Sequence, residues 1–301
     1  MLGFAFFPTS FFVGPQMSFQ HYLHFVYGFQ PIAPRKGPPA HHQHAAALRT
    51  GWGKVFAKRC ASAVLYLGLV LLTTELLPVT LMDSAWFLSL PMWLRVLVGP
   101  LLGRLVLNRY LSIWLIVEAP SILYGIAFSE KEPAQWDAMA NVDAYGLETA
   151  TSLKGVIGAF NMSTNQWSKH YVFKRLRWVG SKYASQVGTL LFLAIWHGFS
   201  AGYFLTFAME FFIVLAEGCY EQWLQEASAL HHPAVTVVRW TLTHWLLGSP
   251  MIGFEFKTFA KTMQLWSDIG YAPVWVIAAI LAFHAFWRIG RSAVPTKVKH
   301  H

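Results

Sequence analysis

Residues 183–209 read YASQVGTLLFLAIWHGFSAGYFLTFAM, 27 positions without an Asp, Glu, Lys or Arg. As one helix the stretch is roughly 40 Å long, enough to cross the ~30 Å hydrocarbon core of a bilayer with some tilt. One titratable side chain, His197, stands near its middle, among Trp196, Gly198, Ser200, Gly202 and Tyr203. A polar ring at membrane depth is costly to place, and two readings follow. Either His197 serves a functional site facing the protein interior, or it hydrogen-bonds a neighbouring helix while Gly198 and Gly202 form a small-residue helix contact.

The rest of the chain has the same character. Of 301 residues 55% are hydrophobic and 12% charged, against about 25% charged in soluble domains. With several long apolar segments this predicts an all-α, polytopic transmembrane helical bundle, a single membrane-embedded domain over 1–301. The net charge of +9 points to anionic lipid headgroups or a phosphate-bearing ligand, with the lipid bilayer as partner. Nucleic acid would suit a soluble protein of this charge, and the hydropathy argues against it. Cys60 and Cys219 offer neither a disulfide framework nor a metal spacing.

Pro8 and Pro15 interrupt the aromatic residues 1–30, which favours an interfacial or re-entrant piece over a clean span. Residues 31–54 form a Pro/Gly/His-rich surface loop whose His41, His42 and His44 fit no familiar metal site, so no metal is expected. A helix over about 61–80 contains Glu75. Apolar pieces near 85–103 and 105–127 are punctuated by Pro91, Arg95, Pro100, Arg104 and Arg109, and Glu118 is either a pathway residue or the partner of one of those arginines. The polar stretch 129–160, with Trp136 and Asp137, belongs at the membrane surface. KHYVFKRLRWVGSK at 169–182 has five basic residues and no acidic one, which points to the cytosolic side. Spans near 235–254 and 269–289 precede a basic tail at 291–301. Three spans between two basic flanks would put the flanks on opposite faces, so one of the three is re-entrant or miscounted.

FNMSTNQW at 160–167 and WHGFSAGY at 196–203 supply two asparagines and a histidine, with Asn161 and His197 36 positions apart. Acyl transfer uses these residue types. A neutral imidazole can take the proton of an attacking hydroxyl, and a carboxamide can donate to the oxyanion or orient the substrate. Without a Cys or Ser nucleophile that has its own base, direct attack by an acceptor alcohol is simpler than an acyl-enzyme.

These residues resemble the membrane-bound O-acyltransferase (MBOAT) family and its lysophospholipid acyltransferase branch. The likeness rests on Trp136–Asp137, on FNMSTNQW running into YVFKRLRW, and on WHGFSAGY, which fits the family's W-H-G-x-x-x-G-Y motif in full; FFVGPQ at 11–16 and FAMEFF at 207–212 also match. The resemblance implies transfer of a fatty acyl group from acyl-CoA to a lysophospholipid hydroxyl, sn-2 of lysophosphatidylcholine and related lysolipids, in the endoplasmic reticulum. It puts the catalytic histidine at His197 and the catalytic asparagine at Asn161, with Asn165 as fallback. Lys174 and Arg175 become candidates for the CoA phosphates, while Trp196, Gly198, Gly202 and Tyr203 shape an acyl tunnel or simply pack. No cofactor is implied beyond acyl-CoA as co-substrate, and a homo-oligomer is compatible with it. Lys297 and Lys299 fit a dilysine retrieval signal on a cytosolic tail. Members of the branch are longer, with membrane helices ahead of Met1, so the resemblance also implies a chain lacking the N-terminal part. The alternatives are an MBOAT acting on a sterol, diacylglycerol or protein, a truncated inactive membrane protein, and a transporter with His197 and Glu118 in its pathway.

Overall fold

Long apolar runs leave the backbone no water to bond inside a bilayer, and helices satisfy its polar groups internally. The computed structural model, which describes residues 1–11, 13, 17–27, 51–129 and 135–292, is built from such helices. In chain order the main ones are Trp52–Leu76 (α1), Met92–Leu105 (α2) and Leu107–Tyr124 (α3), then the short Leu153–Ala159 (α4) and Met162–Ser168 (α5). Lys182–His197 (α6) and Ala201–Glu226 (α7) follow, and Pro233–Phe256 (α8), Phe259–Asp268 (α9) and Ala272–Ser292 (α10) complete the set. Among the described residues β structure is limited to an isolated Ser129–Gln135 bridge. The histidines 41, 42 and 44, residues 31–50 of the loop, most of FFVGPQ, and the tail from 293 with Lys297 and Lys299 lie outside the described residues.

Among the described residues four segments are long and apolar enough to cross a membrane: Trp52–Asp83, Met92–Tyr124, Ala201–Glu226 and Ala272–Arg291. Among the described residues of 1–27 the helices are short, Leu2–Ala5, Pro8–Phe11 and Phe19–Val26. Three expectations need correction. The stretch expected to span at 235–254 is helical, as α8, but is not among the segments long and apolar enough to cross. Helix α1 begins at Trp52, inside the segment read as loop. More consequentially, 183–209 is not one helix: α6 stops at His197 and α7 starts at Ala201. At 16 residues α6 is about 24 Å long, short of the ~30 Å core.

Contacts divide the chain into two compact units interleaved in sequence. The first comprises 1–77, 107–148 and 155–175. Here α1 packs along α3, whose buried stripe Leu107, Leu111, Leu115, Glu118 and Ile122 follows helical spacing. Phe7, Phe25, Val55, Phe56 and Trp136 pack on a core of Ile122, Ile126, Ala127 and Met139. The Tyr66 hydroxyl donates to Glu148 at 2.9 Å.

The second unit comprises 78–106, 149–154 and 176–301. Its centre is α8, buried almost without break from Thr243 to Gly253 and packed on α2, α7 and α9. The α2–α8 crossing is glycine-lined: a Cβ on Gly248 would overlap the Pro100 carbonyl, and one on Gly103 would overlap the Gly248 carbonyl. The Trp245 indole N–H ties the crossing down by donating to the Val96 carbonyl at 2.9 Å, and the Trp266 indole N–H of α9 donates to the Ser249 carbonyl of α8 at 3.1 Å.

Candidate functional site

The break in 183–209 comes from Gly198. Its φ of 131° and ψ of 172° lie in a region that only glycine enters without strain. From there its N–H donates to the carbonyls of Ala194 and Ile195 and closes α6. The chain then turns through Phe199 to Ser200, whose extended backbone opens α7. His197 is thus the last residue of one helix, facing the first turns of the next.

Three aromatic rings wall the imidazole. Tyr203 and Phe207 of α7 lie 5.6 Å away between centroids, and Phe254 of α8 lies 5.0 Å away, edge to face. Phe254 is brought there by Gly202. The Gly202 N–H donates to the Lys257 carbonyl at 2.6 Å, and a Cβ on Gly202 would overlap the Gly253 carbonyl oxygen. The Thr206 hydroxyl lies 2.8 Å from both the Gly202 and the Pro250 carbonyl oxygens, bridging α7 to α8. His197 is exposed, and among the described residues no hydrogen bond occupies either of its ring nitrogens. Trp196 is exposed and leans on Phe192 at 6.0 Å. The structure therefore brings His197, Gly198, Gly202 and Tyr203 together in the second unit.

Asn161 belongs to the first unit. It has φ 49° and ψ 47°, a left-handed conformation that asparagine tolerates better than other side-chain-bearing residues, and it opens α5. Phe160 anchors the turn to α3, edge-on to Trp114 at 4.9 Å. The Asn165 amide donates to the carbonyls of Ile157 at 2.6 Å and Phe160 at 2.7 Å, so both its protons are engaged in holding the turn. The Asn161 side chain differs. Its Oδ1 accepts from Asn141 Nδ2 at 3.4 Å, and among the described residues no hydrogen bond engages its own Nδ2. Of the two asparagines, Asn161 is the one with a free donor.

Trp136 packs edge-to-face on Phe128 at 5.4 Å and Asp137 follows in the same loop, which continues past a turn at 138–139 to Asn141. Lys174 and Arg175 are exposed after a π turn at Lys169–Phe173 and have no acidic partner among the described residues.

Glu118 is salt-bridged, and the partner corrects the expectation. Its carboxylate lies 3.2 Å from Arg59 Nε, on α1, instead of pairing with Arg95, Arg104 or Arg109. Arg104 is turned to His244, 3.3 Å from Nε to Nδ1. Glu118 also accepts the backbone N–H groups of Asn141 and Val142. Asn141, Phe207 and Phe254 escaped the sequence reading. No spacing flags Asn141, and the phenylalanines are indistinguishable in sequence from other apolar helix residues.

The fold and these residues define an integral, multi-pass membrane protein with an exposed imidazole at a helix break and an amide donor on a left-handed turn. The family model described as MBOAT, membrane-bound O-acyltransferase family, matches residues 1–254, and the chain belongs to that family. It is similar to lysophospholipid acyltransferase 5 of Homo sapiens, 34% identical over 99% of this chain and 60% of the relative. It is also similar to lysophospholipid acyltransferase 5 of Mus musculus, at 33% over the same shares, and to the lysophospholipid acyltransferase of Schizosaccharomyces pombe, at 26% over 94% of this chain and 57% of the relative. The chain thus spans about 60% of the length of the first two relatives.

Proposed function

We propose that the chain carries acyl-CoA-dependent lysophospholipid O-acyltransferase activity, moving a fatty acyl group to the free sn-2 hydroxyl of lysophosphatidylcholine and related lysophospholipids. The observation that carries the reading is the state of His197: within the W-H-G-x-x-x-G-Y motif of this family, the imidazole stands at a helix break with neither nitrogen engaged among the described residues. A base so placed can accept the proton of the acceptor hydroxyl as its oxygen attacks the thioester carbonyl carbon. The carbon–sulfur bond then breaks, and the thiolate leaves as CoA thiol, taking the proton back from the imidazolium. The Asn161 amide supports this step as donor to the carbonyl oxygen, where negative charge develops. Lys174, as a point charge, and Arg175, as a bidentate fork, suit the phosphates of CoA. The reaction balances with acyl-CoA as co-substrate and calls for no further cofactor or metal. The reading includes an endoplasmic reticulum membrane with the tail at 291–301 cytosolic; a homo-oligomer is compatible with it and not required.

The test follows labelled oleoyl-CoA incorporation into lysophosphatidylcholine, in membranes from cells without background lysolipid acylation. Removal of a general base typically costs ~10²–10⁴ in rate, and His197→Ala is expected to lose turnover on that scale. Equal incorporation by wild type and His197→Ala would contradict the assignment.

A further inference from the structure

A chain of buried polar contacts leads to Asn161 from inside the first unit. Glu118 on α3 and Asn141 are each 2% exposed. Glu118 Oε1 accepts the backbone N–H of Asn141 at 2.6 Å and of Val142 at 3.2 Å, and Oε2 pairs with Arg59 at 3.2 Å. Asn141 in turn addresses three consecutive residues of the catalytic turn. Its backbone carbonyl accepts from the Met162 N–H at 2.9 Å, its Oδ1 accepts from the Ser163 N–H at 3.0 Å, and its Nδ2 donates to Asn161 Oδ1 at 3.4 Å.

We propose that Asn141 is a positioning residue that decides which end of the Asn161 carboxamide is offered to substrate, with Glu118 and Arg59 holding Asn141 in place. The proposal rests on the reading of Asn161 as the donor in acyl transfer. The Ser163 N–H can be answered only by the oxygen of the Asn141 amide, so the nitrogen of that amide must face Asn161. A nitrogen donor there can be met only by the Asn161 oxygen, and the Asn161 NH₂ is left turned away, free to donate to an acyl carbonyl. Four side chains distributed over α1, α3 and two loops thereby fix one rotamer state.

The sharpest test exchanges that nitrogen for an oxygen. In Asn141→Asp the Ser163 N–H keeps its acceptor, but the second carboxylate oxygen now attracts the Asn161 NH₂ and turns the wrong end of Asn161 outward. The expected result is a fall in kcat of about 10²-fold, the scale of losing one oxyanion donor, with KM for acyl-CoA within about threefold. Glu118→Gln, which keeps an acceptor for the Asn141 and Val142 N–H groups, is expected to stay within about tenfold of wild type. Hydrogen–deuterium exchange over 160–165 should be as slow in Asn141→Asp as in wild type. In an Asn161→Ala background, Asn141→Asp should cost nothing further. Wild-type-like kcat in Asn141→Asp, an equal cost in both backgrounds, or fast exchange over 160–165 would each overturn the positioning role while leaving Asn161 as donor. Full turnover in Asn161→Ala, or none in wild type, would instead overturn the reading on which the proposal stands.

Discussion

At the scale of single residues, the two glycines of WHGFSAGY serve different ends. Gly198 is required for its backbone: with φ at 131° it ends α6 immediately after His197. Gly198→Ala puts a Cβ into a region costing ~1–3 kcal/mol, and the chain relieves the strain by shifting the turn that holds the imidazole. The expected outcome is folded protein near wild-type yield with acyl transfer reduced by about tenfold or more, checked by incorporation normalised to monodisperse protein. Gly202 is required for its missing side chain, since a Cβ would strike the Gly253 carbonyl. Gly202→Ala is expected to lower the unfolding midpoint in detergent, by about 1–3 kcal/mol in stability. Of the two sequence readings of His197, the one that pairs it with a neighbouring helix meets aromatic rings instead, with no hydrogen bond to its ring nitrogens among the described residues. The small-residue helix contact holds for Gly202 against α8 but not for Gly198, because sequence spacing does not report a backbone dihedral. The resemblance singled out Asn161 by its distance from the motif. Asn141 was not legible, because its partners are backbone groups of residues 162 and 163, brought to it only by the fold.

At the scale of helices, buried carboxylates on apolar segments hold down polar loops. Glu118 does so in the first unit. In the second, Glu217 of α7 accepts from the Leu153 N–H at 2.6 Å and the Lys154 N–H at 3.2 Å, at the start of α4. Glu217→Ala leaves two backbone donors without their acceptor, each worth ~1–3 kcal/mol if unsatisfied. Thermal unfolding should show it clearly less stable than Glu217→Gln, which retains an oxygen. Gly248 marks another constraint: Gly248→Ala forces α8 off the Pro100 carbonyl, and loss of folded protein is expected on size-exclusion chromatography. The helices at 107–124 and 233–256 were readable near their observed bounds because prolines, arginines and polar linkers punctuate them, whereas the piece read near 85–103 is two helices, Ala85–Ser89 and Met92–Leu105. The break at 198–200 was not readable, because 27 uncharged residues look continuous when only apolarity is read. The partner of Glu118 differs from the expectation for a related reason: the sequence offered Arg95, Arg104 and Arg109 on the neighbouring apolar pieces, whereas α1–α3 packing delivers Arg59.

At the scale of the whole molecule, the chain is a multi-pass membrane protein of the MBOAT family, assembled from two units that interleave along the sequence. Composition alone pointed to a helical membrane protein, since 12% charge cannot clothe a soluble domain of 301 residues. The division into units was not legible, because each gathers segments far apart in the chain. The central claim is that this chain acylates lysophospholipids, and offering it a choice of acceptors tests that most directly. Labelled oleoyl-CoA would be supplied to membranes carrying the protein with lysophosphatidylcholine, a sterol, diacylglycerol and an acceptor peptide present together. The account predicts label in phosphatidylcholine at sn-2, lost in His197→Ala. Label in sterol ester, triacylglycerol or peptide, or in no product from stably inserted protein, would contradict it.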